Sequence, residues 1–178
     1  GASYMIGSYC LKYCPIDFHI IAANPYLGGL RDVVDGLSDV TQDMSSGTVN
    51  TSYISESPSG GLDDVQGAFL ACMKAYESNQ DGANMFIPYA GVSNLGVYRF
   101  SQTTAHMTIG IDCVDPDSFS YTLLSMNKKM DLALDDFFQR WINGCEIPRH
   151  TLYTLESGKV VVDRSADLDF DSQILETL

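Results

Sequence analysis

The sequence predicts an all-β fold, an eight-stranded antiparallel jelly-roll sandwich with one short helix early in the chain. Three observations carry this expectation. From Ala105 to Cys113 apolar and polar residues alternate without a miss, which is how a strand with one buried face reads. Just before it, the turn Asn79-Gln80-Asp81-Gly82 opens a second apolar run that ends in Ile87-Pro88-Tyr89. Across the whole chain about eight strand-like runs follow one another at spacings of roughly 8–12 residues, the signature of a sandwich or barrel, and eight antiparallel strands in two sheets form a jelly roll.

Taken in order, Tyr4 to Tyr13 is rich in aromatic and aliphatic residues and suits a strand that Cys14-Pro15 ends. Ile16 to Ile20 alternates and runs on to Asn24-Pro25 as a second strand. Leu27, Leu30, Val33, Val34, Leu37 and Val40 recur at intervals of three and four and predict a short amphipathic helix, although Gly28, Gly29 and Gly36 weaken it by about 1 kcal/mol each relative to Ala. Thr48 to Ile54 is β-branched and aromatic enough for a strand, closed by Ser57-Pro58-Ser59-Gly60-Gly61. Val65 to Tyr76 fits a buried strand or a short helix equally well. Met85 to Tyr89, Val97 to Ser101, Ala105 to Cys113 and Phe119 to Met126 complete the series. Met130 to Ile142 carries both periods: Met130, Leu132 and Leu134 alternate with polar or small neighbours, while Met130, Leu134, Phe137, Phe138 and Trp141 stand at helical spacing with Gly144 as a stop. The surrounding strands favour strand there. Val160-Val161-Val162 is strand-like within an otherwise acidic tail that holds Asp167, Asp169 and Asp171. The expected division is a domain over 1–148 and a tail over 149–178, the tail lying across a neighbour or wrapping the domain.

The 178 residues make one domain able to bury a core unaided. Lys and Arg number 10 against 23 Asp and Glu, a formal charge of -13, so unaided binding to nucleic acid or an anionic membrane is disfavoured. The five cysteines (Cys10, Cys14, Cys72, Cys113 and Cys145) show no repeated spacing and read as mostly buried thiols in a reducing compartment. The longest apolar run, Ile20 to Ala23, is too short to span a bilayer, and a soluble protein is expected.

No candidate chemistry outweighs its plain alternative. Cys10, Cys14 and His19 could supply three metal ligands, yet no second pair matches them and buried thiols are the better reading. A nucleophile pair of Cys72, Cys113 or Cys145 with His106 or His150 lacks the Gly-flanked elbow that would lower a thiol pKa. His106-Met107-Thr108 lacks the second motif of a two-histidine phosphoesterase. Asp63-Asp64 and Asp135-Asp136 would point to opposite faces of a strand and cannot converge. Alternation places Met107, Ile109 and Ile111 toward a core, with His106 and Thr108 toward solvent or a subunit. No residue is assigned as catalytic, cofactor-binding or metal-ligating, and no enzyme activity and no cofactor are expected.

Asn84-Met85-Phe86-Ile87-Pro88-Tyr89, the Ala105 to Cys113 strand, the Phe119 to Phe137 segment, and Ile16 to Asn24 followed by Leu27 to Val40 together resemble the jelly-roll coat proteins of picornavirus-like viruses, most nearly the small coat proteins of plant secoviruses of the cheravirus type. The resemblance implies a structural capsid protein that assembles with sister subunits into an icosahedral shell around viral RNA, which it contacts only indirectly. It implies residence in the virion, with assembly in the host cytoplasm and no membrane contact. Subunit edges would use 24–29, 57–61, 92–96 and 151–178. Two other classes fit the residues: an acidic protein-binding module, such as an immunity protein that caps a basic toxin, and, more weakly, a Cys-dependent hydrolase.

Overall fold

A computed structural model of the chain describes residues 1–78, 80, 82–112, 119–149, 151 and 153–164. The fold is α/β, not an all-β jelly roll. Its described elements are α1 (Ala2–Leu11), β1 (Asp17–Ala22), α2 (Leu30–Asp43), β2 (Thr48–Tyr53), α3 (Val65–Glu77), β3 (Asn84–Tyr89), a short 3-10 turn (Gly91–Ser93), α4 (Asn94–Thr104), β4 (Met107–Ile111), β5 (Thr122–Lys128), α5 (Met130–Ile142) and β6 (Val160–Arg164). The strands form one sheet in the order β2-β1-β3-β4-β5-β6. β1 to β5 run parallel, and β6 joins β5 antiparallel, Val160 opposite Lys128 and Val162 opposite Met126.

The physical reason for the difference lies in the strands themselves. A parallel sheet has both faces covered, so its central strands read as continuous apolar runs instead of alternating ones. Phe18, Ile20, Ile21, Ala22 and Ala23 are all fully buried, as are Phe86 and, within 1%, Ile87. Thr108, expected toward solvent, is fully buried, with its hydroxyl 3.1 Å from that of Thr122, while Ile109 and Ile111 do lie in the core. His19 is the polar exception within β1. It is 3% exposed, its Nε2 lies 2.7 Å from Asn84 Oδ1, and its ring stacks on Phe86 at 5.2 Å.

Three runs expected as strands are helices. In Tyr4 to Tyr13 the buried residues Ile6, Tyr9 and Cys10 fall at helical spacing and pack α1 on α2. Gly36 allows the close crossing, since a Cβ there would meet Ser3 Oγ and lie 3.2 Å from the Tyr4 backbone nitrogen. In Val97 to Ser101 the buried set Val97, Phe100 and Ser101 is again helical, and Phe100 meets Phe86 edge-on at 4.9 Å. Met130 to Ile142 is the helix α5, which Asn143 and the positive-φ Gly144 close. Val65 to Tyr76 resolves as helix too, capped by Asp64, whose carboxylate accepts the Gly67 N–H at 2.7 Å.

Two cores result. One lies between α1, α2 and one face of the sheet, centred on Ile6, Leu37, Val40, Phe18, Ile20 and Leu124. The other lies between α3, α4 and the opposite face, centred on Ile21, Cys72, Phe86, Val97 and Phe100. Of the segment 149–178, residues 160–164 supply the edge strand; Asp167, Asp169 and Asp171 lie outside the described residues.

Candidate functional site

The strand order reverses at β1: the chain leaves β1 through α2 to reach β2 on one side, then passes through α3 to β3 on the other. In open α/β sheets the loops at such a reversal diverge and leave a crevice at the carboxyl ends of the strands. Here that edge is formed by Ala23 to Gly29 after β1, Tyr89 and Ala90 at the end of β3, Asp112 after β4, and Lys128 and Lys129 after β5.

The loops are fixed by short, local bonds. Asn24 is fully buried; its side-chain oxygen accepts the Tyr26 N–H at 3.0 Å and its amide donates to the Gly60 carbonyl at 2.9 Å. Ser93, also fully buried, donates to the Gly61 carbonyl at 2.7 Å and accepts the Asp64 N–H at 2.6 Å, so the loops after β2 and β3 hold each other. Tyr89 crosses the crevice: its hydroxyl donates to the Gly28 carbonyl at 2.8 Å. Gly29 makes room for that reach, with φ +78 and a position where a Cβ would stand 2.8 Å from the Tyr89 oxygen. Asp112, itself at φ +53, accepts the Lys128 backbone N–H at 3.2 Å and pairs with the Lys128 ammonium at 2.8 Å. The pair is half-exposed and contributes about 0–1 kcal/mol, so it positions Lys128 more than it stabilises the fold. Burial pushes the Tyr89 phenol above its ordinary pKa, Lys128 pulls it down and Asp112 and Asp32 push it up. It therefore stays a neutral donor near pH 7.

Beneath these groups lies a cavity of about 330 Å³, at the small end of the range for bound solutes. Val33, Ile111, Met126, Met130 and Val160 give it apolar walls, and Lys128, Lys129 and Lys159 stand around it. Three of the ten cations of an acidic chain thus border one cavity. A larger groove of about 910 Å³ separates α1 and α2 from residues 153–160; Asp35, Asp39 and Glu156 line it, and Asp32, Tyr153 and Val160 border both it and the smaller cavity.

The residues weighed from sequence do not come together. Cys10 is buried in α1, its thiol pushed up to about 12 chiefly by burial, while Cys14 is exposed and His19 is turned into the sheet beside Phe86. Burial likewise pushes the Cys72 thiol well up, away from thiolate reactivity. Cys145 is exposed; Cys113 and His150 lie outside the described residues. His106 is half-buried against Tyr76, Phe86 and Phe100 instead of facing solvent. Asp64 is a helix cap, and Asp136 pairs with Arg140 along α5. Among the described residues no cluster of His, Cys, Asp and Glu could hold a metal, and no helix is long and apolar enough to cross a membrane. Sequence reasoning missed Tyr89 and Lys128 as site residues. The sequence marks Tyr89 as the end of a strand, but which strand ends gather at one edge follows from the parallel topology, which no local pattern records.

No family model matches this sequence, and no curated protein matches it. Solved structures do share the fold. A solute-binding protein of an ABC transporter system from Aeropyrum pernix K1 aligns over 98% of this chain and 48% of its own, with a TM-score of 0.65 at 16% identity. A transcriptional activator of the comK gene from Bacillus halodurans aligns over 98% and 58%, with a TM-score of 0.71 at 17% identity. A periplasmic solute-binding protein of an ABC transporter from Actinobacillus succinogenes 130z, solved with bound D-allose, aligns over 98% and 60%, with a TM-score of 0.65 at 9% identity. The chain therefore spans about half to three-fifths of the length of these proteins. At such identities the likeness establishes the shared α/β fold and nothing finer. It overturns the resemblance to viral coat proteins, and with it the capsid function and the sister-subunit partners; the immunity-protein and Cys-hydrolase readings find no support in it either.

Proposed function

We propose that this chain is a lobe of a small-solute-binding protein, which captures its ligand at the carboxyl edge of the sheet without chemically altering it. The observation that carries the reading is the cavity where Tyr89, Ile111 and Lys128, from three successive parallel strands, meet the start of α2. Its apolar walls suit a ligand with an apolar face, and Tyr89 offers a ring for that face. The lysines around it supply ammonium donors for ligand oxygens. A sugar-sized solute combines both properties, in keeping with the D-allose complex among the similar structures.

The test is calorimetric titration of the chain with a panel of monosaccharides and small hydroxy acids. A panel member should bind, Lys129→Ala should weaken it about tenfold, equivalent to about 1.4 kcal/mol, and Val33→Trp should abolish binding by filling the cavity. Binding untouched by both substitutions, or none across the panel, would place the function elsewhere.

A further inference from the structure

Two lysines face each other where the sheet ends. Along the antiparallel pair of β5 and β6, Asn127 stands opposite Val161 and Lys128 opposite Val160. One step further the same register sets Lys129 opposite Lys159, and the Lys129 N–H donates to the Lys159 carbonyl at 2.9 Å. Like charges directly opposite one another on paired strands destabilise the pair. Among the described residues no carboxylate lies within ion-pair distance of either ammonium, although the chain holds 23 Asp and Glu. The fold therefore leaves this repulsion unrelieved.

Both lysines are half-buried and border the cavity of about 330 Å³ at the carboxyl edge. The Lys159 ammonium lies over the Tyr153 ring, 5.2 Å from its centroid, a cation–π contact that holds it at the wall without neutralising it. Lys128, the third cation of the wall, is paired with Asp112 at 2.8 Å. Asp32 is the one carboxylate among the described lining residues. With Lys128 balanced by Asp112, Lys129 and Lys159 against Asp32 leave one uncompensated positive charge, which a monoanion brings to zero. A neutral sugar would leave that charge unmatched. Elsewhere the walls are apolar, at Val33, Ile111, Met126 and Val160.

We infer that the cavity takes a monocarboxylic acid with an apolar body, its carboxylate bridging the Lys129 and Lys159 ammoniums and its body lying against Val33, Ile111 and Met126. A carboxylate shared between the two lysines makes charge-assisted hydrogen bonds to both and removes their repulsion. The inference rests on the solute-binding reading of this cavity and narrows its ligand to an anion.

The experiment is calorimetric titration of the full chain with benzoate, phenylacetate and hexanoate, each beside its neutral amide, with phenyl phosphate and D-allose as further arms. At least one carboxylate should bind about tenfold more tightly than its amide and than phenyl phosphate. Its affinity should fall several-fold as salt is raised from about 50 mM to about 500 mM, because screening weakens the attraction. Lys159→Met should weaken that carboxylate about tenfold and yet raise the thermal midpoint of the ligand-free chain, since it removes one of two opposed charges. Lys159→Arg, which keeps the charge, should retain binding. An amide bound as tightly as its acid, phenyl phosphate bound most tightly, or D-allose bound while every carboxylate is refused would overturn the inference and leave the solute-binding reading standing. Carboxylate binding unchanged in both Lys129→Met and Lys159→Met would overturn it too, and no binding in any arm would overturn both.

Discussion

His106 stands among the rings of Tyr76, Phe86 and Phe100, with centroids 4.7, 5.8 and 5.6 Å away, and its Nδ1 lies 2.8 Å from Thr104 Oγ1. Burial is the largest influence on it and lowers its pKa below the ordinary 6.5, a hydrogen bond with the Thr104 backbone opposes this, and the neighbouring His19 lowers it further. The folded state thus binds this proton less readily than the unfolded state. Its contribution is complete above pH 6.5 and is lost as the pH falls through the depressed folded value. Urea midpoints of the wild type should therefore fall between about pH 7.5 and pH 5.5 more steeply than those of His106→Phe; parallel profiles would show that His106 does not carry this dependence. The same cluster shows why single residues misled the sequence reading. His106 and Thr108 are polar, and polarity in an alternating run suggests solvent, but in a sheet covered on both faces each is enclosed by partners: three rings for one, the Thr122 hydroxyl for the other.

At the scale of elements, α3 and α4 meet so closely at Gly96 that a Cβ there would strike the Val65 carbonyl oxygen and stand 2.8 Å from Ala68 Cβ and 2.9 Å from the Phe69 backbone nitrogen. Two of the three obstacles are backbone and cannot turn aside. Gly96→Ala should destabilise the chain by about 1–3 kcal/mol in denaturant titration, although Ala is the better helix former by about 1 kcal/mol. Unchanged or raised stability would mean that the two helices are not seated this way. Six strands and the early helix were legible in the sequence, because β1, β2, β3 and α2 carry strong local signals in Phe18 to Ala22, Thr48 to Tyr53, Met85 to Tyr89 and Leu30 to Val40. The helices α1, α4 and α5 were not, since Tyr4, Tyr9, Tyr98, Phe100, Phe137 and Phe138 are aromatic residues with strand preference, and tertiary packing or a partner overrides that preference. Of these three, α4 alone is a crossover between parallel strands, joining β3 to β4, while α1 precedes β1 and α5 leads to the antiparallel β6. Read as strands, the three lengthen the run of strand-like segments, and a long run of short strands reads as a sandwich.

For the whole molecule the parallel topology decides the functional reading. Reversal at β1 gathers Asn24, Tyr89, Asp112 and Lys128 at one edge although up to 104 residues separate them in sequence, and no short motif records that gathering. This is why the candidate site was invisible in the sequence while its components were in plain view. Against the excess of acidic residues, Lys128, Lys129 and Lys159 border the cavity at the carboxyl edge. The most direct test of a solute site at that edge is amide chemical-shift mapping by NMR of the labelled chain during titration with the solute panel. The account predicts that perturbations concentrate at Gly28 to Val33, Tyr89, Asp112 and Lys128 to Ala133. Perturbations confined to the α3 and α4 face, or to the opposite edge around Asp17, Thr48 and Asn84, would contradict it.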